Sequence, residues 1–287
     1  MTSSKDSRYS DDTVLQNVNH FVTVTQKNKQ TNSAHLNFLM ECILPIMKEE
    51  DETFKRLYNS IQYGGSFYKG TKISNAEEYD LDLIIKLQET PLKVEMSKNK
   101  PGYVKIKLQD PHVDVWKNYH GQSWLAIPKP LNGDEGNLLW RASFYEQEKE
   151  LLLSKKHLKN VLRLLKKLRN QENFSNLSSY YIETLFFHEI DSQNPYFWEQ
   201  NSLTYLFMHM LKKLQRALEN CEIKSYWAKN SNLLERLSKE EKQNMASRLK
   251  KIVNIIEKTI DSDPLAIARF LLNEKEMKKL STEYDEL

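Results

Sequence analysis

Between Tyr63 and Leu87 the chain reads YGGSFYKGTKISNAEEYDLDLIIKL, and this stretch constrains both fold and chemistry more than any other part of the 287 residues. Gly64-Gly65-Ser66 opens it, and twelve residues after the serine comes Glu78-Tyr79-Asp80-Leu81-Asp82-Leu83-Ile84-Ile85. Strand alternation places Glu78, Asp80 and Asp82 on one face and Tyr79, Leu81, Leu83 and Ile85 on the other. Carboxylates at i and i+2 sit roughly 6.5–7 Å apart and can lean onto hard divalent cations held about 3.5–4 Å apart. Glycine lets backbone N–H groups approach a phosphate closely, and Ser66 adds a hydroxyl donor. Taken singly, the glycine pair also fits an ordinary turn, and the acidic face a solvated edge strand. Together they form a phosphate cradle followed by paired carboxylates, which nucleotide–magnesium chemistry requires.

The rest of the composition sets bounds. The chain is long enough for a substantial core, as one large domain or two lobes. Net charge is +3 with 28% charged residues, so basic regions rather than a uniformly basic protein are expected. Cys42 and Cys221 are the only cysteines, too few for a disulfide framework or a cysteine-based zinc site. The absence of a long apolar run and of a leader-like N-terminus predicts a soluble, cytoplasmic protein with no membrane partner.

Residues 1–32 are mostly Ser, Thr, Asn, Asp and Lys and are expected to be a flexible tail. From Ser33 to Ile61 apolar residues recur at helical spacing, and Pro45 is expected to kink or restart that helix. A strand is predicted at 102–108 after a Pro101-Gly102 turn, then a loop with short strands over 110–136. Residues 140–153 are amphipathic. The stretch 151–170, LLLSKKHLKNVLRLLKKLRN, carries seven cations and no acid. It reads either as a core helix with a solvated lysine face or as a surface for phosphates or nucleic acid. Helical spacing continues to the C-terminus.

Three separated blocks in one order carry a family resemblance. They are GGS with Lys72-Ile73-Ser74 and Glu78-Tyr79-Asp80; Ile127-Pro128-Lys129 with Trp140-Arg141-Ala142-Ser143-Phe144, Glu146 and Glu148; and Leu177-Ser178-Ser179-Tyr180 with Thr184-Leu185-Phe186-Phe187-His188. The chain resembles the cyclic GMP-AMP synthase family of nucleotidyltransferases, in its insect receptor-like form. The resemblance implies an α+β, bilobed nucleotidyltransferase fold with a small mixed sheet, a bracing helix and a C-terminal helical lobe. Its implied boundaries are a shortened nucleotidyltransferase core over 33–150 and a helical lobe over 151–287.

The same resemblance implies a nucleic-acid-sensing enzyme of innate antiviral immunity that makes a cyclic dinucleotide from ATP and GTP. It assigns two Mg²⁺ or Mn²⁺ ions to Glu78 and Asp80. Nucleotide contacts fall to Ser66, Arg141, Glu148, Lys166 and Ser179, and Asp82 is a third acid on that face without a ligand role. Two departures go with it. Only about forty residues separate Leu87 from Ile127, where the family has further strands and a third metal carboxylate. Asp114 is a weak substitute, and a catalytically inactive relative that binds double-stranded RNA or nucleotide is the alternative. The stretch between Glu150 and Lys166 has one histidine and no cysteine, so a zinc-clamped insertion cannot form there. That departure implies double-stranded RNA, rather than DNA, as activator.

Overall fold

The computed structural model describes residues 7–73, 78–86, 92–97, 102–108, 125–128, 139–228 and 230–285. It is an α+β protein. The N-terminal segment departs from the flexible tail expected of it. After a short 3₁₀ turn at Ser7–Tyr9, helix α1 (Thr13–Val22) sinks Val14, Leu15, Val18 and Val22 into the main core. These apolar residues are few but fall on one helical stripe, and each contributes roughly 1.5–3 kcal/mol when fully buried. Asp12 fixes the segment from the other end. Its carboxylate accepts from the backbone N–H groups of Leu203 (2.8 Å) and Thr204 (2.9 Å), capping a helix nearly two hundred residues away.

Helix α2 (Gln26–Glu50) starts at Thr25, whose hydroxyl accepts from the Asn28 N–H, and runs through Pro45 without ending. The break comes at Asp51, whose carboxylate caps α3 (Glu52–Leu57) by accepting from Thr53 and Phe54. Strand β1 (Tyr58–Tyr63), helix α4 (Gly65–Tyr68) and strand β2 (Leu81–Ile85) follow, and β1 pairs antiparallel with β2. Strands β3 (Leu92–Met96), β4 (Tyr103–Leu108), β5 (Leu125–Pro128) and β6 (Leu139–Ser143) form a second sheet in the order β3-β4-β6-β5. Every described pairing is antiparallel, where a mixed sheet was implied.

The helical half begins with α5 (Tyr145–Leu151) and α6 (Leu158–Gln171), and continues through α7 (Ser179–Ser192), α8 (Phe197–Gln200) and α9 (Leu203–Glu219). Helices α10 (Lys239–Thr259), α11 (Ala268–Leu271) and α12 (Glu274–Asp285) complete it. Leu158, Val161, Leu162, Leu164, Leu165 and Leu168 of α6 are almost completely buried, so this helix is the axis around which α1, α7, α9 and α11 pack. Between Val161 and Leu168 this axial helix has no solvent side. Arg163, Lys166 and Lys167 are therefore buried as well, contrary to a solvated lysine face, and each must find partners. Lys167 meets Glu276 at 2.7 and 2.9 Å, and Arg163 donates to the Gly70 carbonyl at 2.7 Å.

Candidate nucleotide and metal site

The cradle forms where β1 runs into α4. Gly64 is extended and its N–H donates to the Asp80 carbonyl (2.8 Å), which closes the β1–β2 ladder. Gly65 adopts φ +72°, and a Cβ built there would stand 2.0 Å from Asp80 Oδ2. Only glycine admits both the left-handed backbone and the carboxylate lying against it. Ser66, in the first turn of α4, is half-buried, and its carbonyl accepts from the Thr71 N–H at 2.8 Å.

Glu78 and Asp80 precede β2 rather than lying within it, and both are exposed. Glu78 reaches Lys72 at 3.6 Å with 85% of its side chain in solvent. Asp82, inside β2, is half-buried, and burial pushes its carboxyl above the usual carboxylate range. The Arg141 charge opposes that rise and Asp80 adds to it. Among the described residues no group of three or more His, Cys, Asp or Glu is arranged to hold a metal ion. The donor chemistry of Glu78 and Asp80 suits a hard divalent cation, as a partial ligand set. Asp114 lies outside the described residues, as do Lys129 and Ser74 of the motif blocks.

Behind the cradle lies a buried ionic chain that the sequence reading did not anticipate. Lys69, just after α4, donates to Glu148 Oε2 (2.6 Å) and to Glu183 Oε1 (2.5 Å). Glu183 Oε2 lies 3.7 Å from Lys166 Nζ, which donates to the Thr71 hydroxyl (3.0 Å) and carbonyl (3.3 Å). Glu148 Oε1 accepts from the Tyr180 hydroxyl (2.9 Å) and the Trp227 indole (3.0 Å), and that indole stacks on Phe144. Thus the structure brings Glu148 and Lys166 into one network with Tyr180, the neighbour of Ser179. Arg141 is exposed on β6, and its charge acts on both Asp82 and Tyr180, so it borders the acidic strand and the buried network alike.

The electrostatics follow from burial. Burial alone would lower the Lys69 ammonium, but Glu183 and Glu148 outweigh it and hold the pKa above its ordinary value. Burial dominates at Lys166 and pushes it down to about 8, with Glu183 opposing and Lys69 and Lys72 reinforcing the fall. The Tyr180 phenol is pushed far up by burial and then by the Glu148 charge. An acid within an otherwise apolar helical run, as Glu183 is between Ile182 and Leu185, is the signal that points to such a network.

A half-buried ammonium, Lys159 of α6, marks a separate basic face. Burial lowers its pKa first, and then the nearby charges of Arg163, Lys29 and Lys149. Lys159 and Arg163 of α6 both lie at Gly70, and the charges of Lys29 on α2 and Lys149 on α5 act on Lys159.

An α+β core fused to a helical lobe, with a glycine turn set against acidic residues, defines a nucleotidyltransferase-type protein. A sequence profile of the Mab-21 protein HhH/H2TH-like domain matches residues 157–251. A cyclic GMP-AMP synthase-like receptor of Trichogramma pretiosum is 32% identical, covering 95% of this chain and 78% of its own. Receptors so named from Microplitis demolitor and Aethina tumida are 27% and 24% identical, over 94% and 93% of this chain and 69% and 93% of theirs. The chain belongs to the cyclic GMP-AMP synthase-like receptor family. The alignment with the Trichogramma relative runs over 382 positions against 287 residues in the chain, so it crosses positions for which this chain has no residue.

Proposed function

We propose that the chain is a nucleic-acid-sensing nucleotidyltransferase that makes a cyclic dinucleotide from ATP and GTP for innate immune signalling. One observation carries the reading. The Gly64-Gly65-Ser66 turn is hydrogen-bonded to Asp80, and the Asp80 carboxylate lies against Gly65. A triphosphate on the turn is thereby adjacent to the acid. Mg²⁺ or Mn²⁺, two ions per site and held in part by Glu78 and Asp80, supplies charge neutralisation at the phosphates. Ser66 and the turn N–H groups bind a phosphate, and Arg141 orients the acceptor nucleotide. Glu148, Lys166 and Ser179 support the donor. A ribose 2′- or 3′-hydroxyl oxygen attacks an α-phosphorus, the new P–O bond forms, pyrophosphate leaves and the hydroxyl proton passes to water. A second round on the linear product closes the ring.

The trigger reading rests on the basic face. Lys29, Lys149 and Lys159, none of them fully buried, supply positive charge suited to the phosphate backbone of double-stranded RNA. Purified protein incubated with labelled ATP, GTP, Mn²⁺ or Mg²⁺ and duplex RNA should yield a phosphatase-resistant dinucleotide. That product should be absent from Asp80→Asn and from reactions lacking duplex. Linear polymer, or a product that survives Asp80→Asn, would contradict the reading.

A second reading is favoured by the saturation of Glu148, whose two oxygens are taken by Lys69, Tyr180 and Trp227, and by the incomplete set of carboxylates among the described residues. In it the chain binds duplex RNA or nucleotide without turnover. Retained RNA binding with no product under any metal would select it.

A further inference from the structure

Lys72 stands between the glycine turn and the acidic strand, and neither the buried network nor the phosphate turn uses it. Its backbone is held on both sides. Thr71 is fully buried, its N–H donates to the Ser66 carbonyl (2.8 Å), and its hydroxyl and carbonyl accept from the Lys166 ammonium. Ile73 forms the bridge to Thr23. An anchored segment thus carries a long cationic side chain that is only 19% exposed. The charges around it are uneven. Toward the core lies the like charge of Lys166, close enough for Lys72 to lower that group's pKa. Toward solvent lies Glu78 at 3.6 Å, an ionic contact longer than a hydrogen bond, with an acid that is itself mostly in water. Among the described residues Lys72 has no other acidic partner. A largely desolvated ammonium with one loose partner keeps donors for a stronger anion.

Glu78 is also one of the two acids suited to a hard divalent cation, and such a cation and the Lys72 ammonium repel each other at one carboxylate. We propose that Lys72 is a phosphate-binding residue: it neutralises Glu78 until that carboxylate binds a divalent cation, and then moves onto the triphosphate. This role rests on the nucleotidyltransferase reading above and adds to it one residue and an order of charge exchange. Without nucleotide, Lys72 competes with the cation for Glu78. With a triphosphate on the Ser66 turn, the same ammonium meets phosphate oxygens and supports the complex. Its effect on cation binding therefore changes sign when nucleotide is present. A lysine with a purely structural role has no such reversal.

The test compares the full native chain with Lys72→Gln and Lys72→Arg. Mn²⁺ alone is titrated by electron paramagnetic resonance, and Mn²⁺–ATP and Mn²⁺–tripolyphosphate by calorimetry. Lys72→Gln should bind Mn²⁺ alone about two- to threefold more tightly. It should bind Mn²⁺–ATP and Mn²⁺–tripolyphosphate each about tenfold or more weakly. Lys72→Arg keeps the charge and should recover most of that loss. A Lys72→Gln chain that binds Mn²⁺–ATP as well as the native chain overturns the proposal and leaves the reading intact. So does one that binds Mn²⁺ alone no more tightly, or one that loses ATP but keeps tripolyphosphate. A native chain that binds Mn²⁺–ATP no better than Asp80→Asn overturns the reading, and the proposal falls with it.

Discussion

The carboxylate of Asp80 lies where a side chain on Gly65 would begin, 2.0 Å from its Cβ position. The backbone at Gly65 is also left-handed, whereas that at Gly64 is extended and a Cβ there meets Asp80 atoms only at 3.4 Å and beyond. The two glycines are therefore not equivalent. Gly64→Ala should change stability by less than about 0.5 kcal/mol, as an ordinary contact does. Gly65→Ala should cost about 2 kcal/mol in backbone strain and displaced carboxylate, and should weaken Mn²⁺–ATP binding at least about tenfold. Urea denaturation and titration calorimetry on the two variants check this pair of outcomes.

Lys69 is the one cation within hydrogen-bond reach of both Glu148 and Glu183 among the described residues. Lys69→Met leaves two buried carboxylates facing each other and should cost about 3–5 kcal/mol. Glu183→Gln keeps an acceptor without the charge and should cost less. If the two residues act as an ion pair, the double variant should recover part of the Lys69→Met loss. Strict additivity in urea midpoints would refute the pairing.

Lys166 sets a pH dependence. Its folded pKa, about 8, lies below the ordinary 10.5, so between these values the unfolded chain holds a proton that the folded chain has released. The cost of burying the ammonium is constant below about pH 8 and is relieved as pH rises towards 10.5, so stability should climb across that window. Lys69 acts in the opposite sense. Its raised pKa keeps its contribution intact below 10.5, and that contribution is lost only at higher pH. Melting temperatures from pH 7.5 to 10 should rise for the native chain, and Lys166→Met should shrink the rise to the part left by Lys159 and Lys213, whose pKa values burial also lowers.

Lys159 is half-buried at the centre of the converging cations and makes no ion pair among those described. Lys159→Ala should leave the melting temperature unchanged. It should weaken duplex RNA binding and reduce the slope of log K against log salt by about one contact's worth, roughly 0.7–0.9. Fluorescence polarisation across a salt series reads both effects.

The sequence made the local features legible. The glycine turn, the acidic residues and the alternation of β1-adjacent segments depend on neighbours a few positions away, and their types and spacing carry the information. The order of the N-terminal segment is not legible in its composition, because Ser, Thr, Asn and Asp dominate the average. Val14, Leu15, Val18, Phe21 and Val22 nevertheless fall at helical spacing. The burial of the α6 cations was not legible for a different reason. Whether Lys166 and Lys167 face water depends on Glu183, on Glu276 and on the axial position of the helix, and none of these is local in sequence. Pro45 is expected to kink or restart the helix; α2 does not restart there, and Asp51 supplies the break by capping the next helix.

Residues close to the start of the chain also reach the cradle. Thr23 forms an isolated bridge with Ile73, in the segment between the glycine turn and Glu78, and Asn19 accepts from Arg163, whose guanidinium also holds the Gly70 carbonyl. Trimming the first two dozen residues as dispensable padding would remove a wedge of core together with the strap on the loop behind the glycine turn. A recombinant fragment designed that way could lose activity for mechanical reasons and be mistaken for an enzyme born without it.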